Sequence, residues 1–395
     1  MRIAHVLTYI SADGAFGGPL AVMSEQTREL ARRGHHVEVF AGWDGEARFA
    51  PEGVDVHLFP ARQLVPGAGF SGLVAPGLRR ALLRRRGEFD VVHVHLARDL
   101  VTLPVAHALR RGGAGPRLFL QPHGMVKPDG RLRARVFDRW VRPVLRGATG
   151  TFALTDTDAG RLRAVEPRVR IVDLPNGVSL PPVGERTPSA RPEVLFLARL
   201  QPRKRVLLFA EAAHRLLAAG TDADFVVVGP DEGDLAELER RVAAWGHAQR
   251  IRYEGAVPPG AGRDRMARAD VYVLPSFSEP FPMSVLEALS VGRPTVISDT
   301  CHIADRLGDA VATFPERGSD AGAATAASET APETAEALAD TIGALVHDES
   351  ARAALGARGR RAIETGFSIE RIGDLLDGYY AGGPSAGERR PVTSP

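Results

Sequence analysis

Short uninterrupted aliphatic runs recur along this chain, separated by helix-length stretches in which apolar and charged positions alternate. Met1–Thr8, Val37–Phe40, Val54–Phe59, Val91–His95, Leu118–Gln121 and Gly150–Leu154 form one series. Val194–Leu197, Phe225–Val228, Ile251–Tyr253, Val271–Leu274 and Thr295–Ile297 form a second. Runs apolar on both pleat faces predict parallel strands covered by helices on either side. Two such series predict an α/β chain of two doubly wound, Rossmann-like halves. Residues 181–192 are proline-rich, lack apolar periodicity and read as a linker between domains 1–180 and 193–366. Gly318–Thr330 is a low-complexity surface insertion, and helices resume at Pro332 and Ser350. A last helix occupies residues 367–381, and 382–395 have the composition of a disordered tail.

With 395 residues and 44% apolar content, the chain can bury two cores. No run reaches the length of a membrane span, and no charged-then-apolar signal segment opens the chain. The lone cysteine, Cys301, excludes an internal disulfide framework and suits a reducing cytoplasm. Net charge is +2, but residues 1–180 carry 26 basic and 17 acidic side chains, which leaves +9 there and −7 on the remainder. The first half is therefore expected to meet something anionic, unless the imbalance is only one of solvated faces. Only two of the 50 basic residues are lysines, Lys127 and Lys204, so arginine counts carry little weight while Lys204 stands out.

Chemistry concentrates in Ser278-Glu-Pro-Phe-Pro-Met-Ser-Val-Leu-Glu-Ala-Leu-Ser290, where Glu279 and Glu287 lie eight positions apart. Glu279 is placed in a loop after the strand Val271–Leu274, and Glu287 about two turns into the following helix. A helix N-terminus offers free N–H groups and a positive dipole end to an anion. Carboxylates beside it are natural acceptors for sugar or ribose hydroxyls. On spacing alone, a capping role for one glutamate and a solvated face for the other compete with this reading.

The wider pattern is familiar. Glu279-x7-Glu287 followed by Gly292-Arg-Pro-Thr-Val296, Leu197-Ala-Arg-Leu-Gln-Pro-Arg-Lys204, and Leu174-Pro-Asn-Gly-Val178 resemble the signatures of the retaining glycosyltransferases of family 4. Gly17-Gly18, Arg33–Val37, Asp90–His95 and His123-Gly124 fit the same order, so the resemblance runs to about residue 380. It implies a GT-B fold, with two Rossmann-like domains facing across a cleft. It implies that a hexosyl-type unit moves from a UDP- or GDP-sugar to an acceptor hydroxyl with retention, without metal or other cofactor. Glu279 would contact donor-sugar hydroxyls and Glu287 the ribose. Backbone amides near Phe281, Met283 and Ser284 would face the diphosphate, and Arg199 and Lys204 would take up its charge. Gly17 and Gly18 would let a loop approach the diphosphate, and His123 would touch the transferred sugar or acceptor. A glycan, lipid-linked or small-molecule acceptor is implied and no nucleic acid, at a cytoplasmic location that includes the inner membrane face. Two departures stand out: Pro282 and Arg205 replace glycines common in the family. Arg203 and Arg205 read as ordinary surface cations.

Asp156-Thr-Asp158 matches the Asp-x-Asp of metal-dependent glycosyltransferases but reads here as a helix cap. His93 and His95 share a strand face as in metal-binding His-x-His motifs, with no convincing further ligands in the sequence. Arg131–Arg146 is amphipathic and basic, with Leu132, Val136, Trp140 and Val144 every four residues. Such a helix turns its stripe to a core or lies on an anionic bilayer. A soluble acceptor, a sugar-nucleotide epimerase, a metallohydrolase built on His93 and His95, and a donor-binding protein without activity remain as rivals.

Overall fold

The computed structural model describes residues 1–11, 17–65, 67–110, 115–182, 190–258, 260–316 and 332–382. Both the insertion Gly318–Thr330 and the tail beyond residue 382 lie outside these. The chain divides into two compact units, one built from Met1–Gly177 with the helix Ile369–Tyr380, the other from Val178–Ser368.

The first unit carries seven parallel strands: β1 (Arg2–Ile10), β2 (His36–Trp43), β3 (Val54–Pro60), β4 (Val91–Val94), β5 (Arg117–Leu120), β6 (Gly150–Ala153) and β7 (Ile171–Asp173). Their order across the sheet is β3-β2-β1-β4-β5-β6-β7. The second unit repeats the plan with β8 (Glu193–Leu197), β9 (Asp224–Val228), β10 (Ile251–Tyr253), β11 (Val271–Leu274), β12 (Thr295–Ser298) and β13 (Ala312–Phe314), ordered β10-β9-β8-β11-β12-β13. In each sheet the direction of winding reverses beside the first strand, between β1 and β4 and between β8 and β11. Above the carboxyl ends of strands at such a reversal a crevice opens, because the loops on either side run apart.

The strands form as their patterns require. β4, β6, β11 and β12 are buried at every position, the result of helices on both faces. Apolar side chains of β8, β9 and β11 pack with those of the helices Val206–Ala218 and Pro332–His347. In the first unit the helix Ile369–Tyr380 closes one face, with Ile372, Leu376 and Tyr380 buried against Ile3, Phe119 and Phe152. The turn after the helix Gly17–Arg32 holds it in place. Arg33 donates to Asp374 at 2.8 Å and Asp377 at 3.0 Å, and His35 Nε2 lies 2.6 Å from Asp377. The Arg33–Val37 motif is thus a clamp on the last helix.

Packing adds detail to two local readings. The helix after the Asp156–Asp158 strand end is capped by Thr155, whose hydroxyl accepts from the Asp158 N–H. Asp158 in turn accepts from the N–H of Leu154, the residue before the cap, at 3.1 Å. And Leu132, Val136 and Trp140 face solvent: the helix Leu132–Gly147 buries Ala134, Asp138, Val141, Val144 and Leu145 instead.

Candidate functional site

The crevice of the second unit gathers charge. After β8 the chain turns through Arg199–Gln201 into a short 3-10 turn, Pro202–Lys204, and Arg205 follows in the left-handed region at φ 60°. That conformation explains why glycine is common here; arginine keeps it at a cost of about 1–2 kcal/mol. Gly229, at the end of β9, sits so close that a Cβ would meet the Ala198 carbonyl oxygen at 1.9 Å. Only glycine lets this turn pack there.

After β11 the chain passes through Ser278, also left-handed at φ 47°, and then Glu279. Ser278 is held by its N–H to Thr300 Oγ1 at 3.1 Å and by its hydroxyl 3.2 Å from His302 Nε2. The Glu279 carbonyl accepts from the His302 N–H at 3.0 Å. This fixes the buried Glu279 carboxylate against the other loop: Lys204 Nζ donates to Oε2 at 2.8 Å and Arg203 to Oε1 at 3.4 Å. Two residues 75 positions apart thereby become one ion pair at the sheet's reversal point.

The helix that follows begins at Met283 with Pro282 as its N-cap. Glu287 is therefore about one turn into the helix, not two, and is half-buried. Pro282 removes the first of the orphan amides of the helix end and leaves those of Met283 and Ser284 in the first turn. Phe281 is buried, with its ring 6.2 Å from that of Phe367. Tyr272 on β11 supports the floor: its hydroxyl donates to the Leu197 carbonyl at 3.1 Å, and burial pushes the phenol above its usual range. Arg199 is turned to Glu232 at 2.9 Å. Arg203 and Arg205 are not idle surface cations, since Arg203 joins the Glu279 pair and Arg205 pairs with Glu316, which also accepts from Ser298 Oγ at 2.9 Å. Cys301 is buried and its thiol is pushed up to about 12 by desolvation, so it is no nucleophile at neutral pH.

The crevice of the first unit is built from neutral rings. His5 on β1 lies level with His93 on β4, and His95 follows just beyond β4. His5 Nδ1 is 3.1 Å from His95 Nε2, His95 Nδ1 is 2.8 Å from His123 Nε2, and His93 Nδ1 is 2.6 Å from the Tyr380 hydroxyl. Neutral imidazole has one N–H, so His95 donates to one neighbour and accepts from the other. The chain therefore couples the tautomers of His5, His95 and His123 to one another, and His123 is held at φ 52° with Gly124 at φ 70°. Desolvation pushes His5 and His123 down to about 3 and holds His93 and His95 well below their usual value.

His5 was not among the residues singled out in the sequence. It completes a group of three buried histidines, with His93 and His95, whose ligand nitrogens lie within 4.8 Å of one another. His93 and His95 thus do have a third partner of zinc-ligand type. The nearby carboxyl of Asp99, pushed up by burial, accepts from Thr8, Val101 and Thr102. Gly18 lies in the first turn of the helix Gly17–Arg32, where an added Cβ would meet nothing within 4 Å. The signal for His5 and for the Lys204–Glu279 pair is strand register, which a single stretch of sequence does not display.

Known proteins resemble this chain along both units. Residues 183–362 match the family described as glycosyl transferases group 1, and residues 17–177 a glycosyl transferase 4-like domain. A D-inositol 3-phosphate glycosyltransferase of Xylanimonas cellulosilytica is 27% identical, with 96% of this chain and 94% of that one aligned. One of the same description from Geodermatophilus obscurus is 30% identical over 78% of this chain and 76% of its own. Among solved structures, Anabaena HepE in complex with UDP and glucose superposes with TM-score 0.71 at 16% identity, covering 97% of this chain and 100% of that one. WaaG, a glycosyltransferase involved in lipopolysaccharide biosynthesis, gives 0.67 at 16% identity over 96% of this chain and 100% of its own. With two Rossmann-like units, both halves matched and a relative 30% identical across 76% of its own length, the chain belongs to the group 1 glycosyltransferases, family 4, of GT-B fold.

Proposed function

We propose that the chain moves a hexosyl unit from a UDP- or GDP-sugar to an acceptor hydroxyl with retention of configuration and without a metal or other cofactor. The observation that carries this reading is the part-buried Lys204–Glu279 pair beside the start of the helix Met283–Ser290. A cation, a carboxylate and free amides at one crevice suit a diphosphate joined to a sugar. Lys204 and Arg199 stabilise charge on the departing diphosphate, and the amides of Met283 and Ser284, with the backbone at Phe281, hold its oxygens. Glu279 accepts from sugar hydroxyls and Glu287 from the ribose. Gly17 and Gly18, lacking side chains, leave the backbone of the first unit's loop open to a ligand.

In the reaction the bond between the anomeric carbon and the phosphate oxygen breaks, and a bond to the acceptor oxygen forms on the same face. The departing phosphate oxygen takes the acceptor's proton. His123, kept neutral, orients the sugar or acceptor by a hydrogen bond; it does not supply a proton. A cytoplasmic enzyme with a glycan or lipid-linked acceptor suits the basic first unit. A second reading, a soluble phosphorylated acceptor, is favoured by relatives described as D-inositol 3-phosphate glycosyltransferases.

Thermal stabilisation by a panel of nucleotide sugars, followed by product analysis with candidate acceptors, tests the proposal. A glycoside with the donor's anomeric configuration, formed together with nucleoside diphosphate, supports it. Turnover of donor alone to an epimer would show an epimerase instead, and binding with no nucleotide release a binding protein.

A further inference from the structure

Among the described residues, the large apolar side chains left exposed are Leu64, Val65, Leu132, Val136 and Trp140, and three of these five stand on one helix. Leu132 is 77% exposed, Val136 58% and Trp140 51%. At spacing i, i+4 they form a single ridge about 12 Å long on the solvent side of Leu132–Gly147. Leaving such a ridge in water has a cost that a folding account alone does not explain.

The charges around the ridge are of one sign. Arg135, Arg139, Arg142 and Arg146 run along one flank, and Arg133 lies on the other; all are exposed. Arg146 pairs with Glu166 at 2.7 Å, whereas Arg133, Arg135, Arg139 and Arg142 have no carboxylate within ion-pair reach among the described residues. The helix has one acidic residue, Asp138, and it points inward to Arg98 at 2.8 Å. An apolar ridge with a tryptophan at one end, bordered by arginines and free of outward carboxylates, matches an interface between acyl chains and anionic headgroups.

We infer that the helix Leu132–Gly147 docks the first unit on the surface of an anionic lipid bilayer, with Leu132, Val136 and Trp140 at the acyl boundary and the arginines at headgroup phosphates. Nothing in this depends on the transfer reaction. Docking there puts the acceptor at a membrane surface, which deepens the lipid-linked reading of the acceptor and rests on the proposed transfer.

The test is sedimentation of the full chain with vesicles of phosphatidylcholine, alone or with about a quarter phosphatidylglycerol, at low and high salt. Binding should need the anionic lipid and weaken as salt rises. The exposed-site variant Val136→Ser/Trp140→Ser should lower partitioning at least tenfold without changing thermal stability, and each of Arg135→Ser, Arg139→Ser and Arg142→Ser by roughly fivefold. Absence of binding to anionic vesicles at low salt overturns the inference. So does binding that survives in the Val136→Ser/Trp140→Ser variant, or equal binding to phosphatidylcholine alone. Concentration-dependent self-association abolished by the same variant would show that a second copy, not lipid, covers the ridge.

Discussion

The two units share one plan of parallel strands and one position for the crevice, yet they furnish that crevice with opposite chemistry. In the second unit it holds an ion pair, Lys204 with Glu279, backed by Arg203 and a helix N-terminus. In the first it holds a chain of uncharged imidazoles, His5, His95 and His123, desolvated until none is protonated at neutral pH. The contrast teaches that the scaffold fixes where a ligand binds and the residues at strand ends decide which part of it. Under the proposed function, the charged oxygens of a diphosphate would be matched by fixed cations and amides. An uncharged hydroxyl would be matched by a neutral ring that can donate or accept one hydrogen bond.

The sharpest way to break this division is to remove the ammonium. Lys204→Ala should lower kcat/KM by roughly 30- to 1000-fold, the equivalent of about 2–4 kcal/mol of transition-state stabilisation. Lys204→Arg should restore only part of it, since a planar fork cannot occupy the point-charge position beside Glu279. Unchanged turnover in Lys204→Ala would remove the diphosphate from this crevice. Glu287→Ala comes next: donor binding should weaken by about 10- to 150-fold, as expected for loss of hydrogen bonds to a charged group. An unaltered donor Kd would place the ribose elsewhere.

A third prediction addresses the imidazole crevice through stability. His5 and His123 titrate near 3 in the folded chain, far below the usual histidine value, so between about pH 4.5 and 6.5 the unfolded state binds more protons than the native one. Stability should therefore fall as pH falls through that window, by about 1.4 kcal/mol per pH unit for each such histidine. Urea midpoints across the window check it, and a flat profile contradicts it. Carboxylates such as Glu38, held at about 2 by Arg85 and His57, begin to contribute only below that window. The smallest expected effect is that of a chelator: turnover should change by less than about twofold, because fixed cations do the work a metal would do. Loss restored by Mg²⁺ or Mn²⁺ would point to Asp156 and Asp158, and loss restored by Zn²⁺ to His5, His93 and His95.

Much of the fold was legible because buried parallel strands announce themselves. The runs from Val37 to Thr295 fall on observed strands with ends displaced by one or a few residues. β7 and β13 escaped, each being only three residues long, too short for an apolar run to stand out. The candidate residues of the second unit were legible by spacing and resemblance, but their contacts were not. Lys204 and Glu279 meet only because β8 and β11 are neighbours. His5 was invisible for the same reason, as nothing near it in the chain marks the strand that will lie beside it. The ridge Leu132–Val136–Trp140 shows a further limit: periodicity reveals a stripe, while packing of the opposite face decided that the stripe points outward.

Calorimetric titration of UDP and GDP into the unmodified chain, Lys204→Ala and His123→Ala tests the division of labour most directly. The account predicts that the preferred nucleotide loses at least tenfold in affinity in Lys204→Ala and binds His123→Ala as it binds the unmodified chain. Weakened nucleotide binding in His123→Ala with unchanged binding in Lys204→Ala would contradict it.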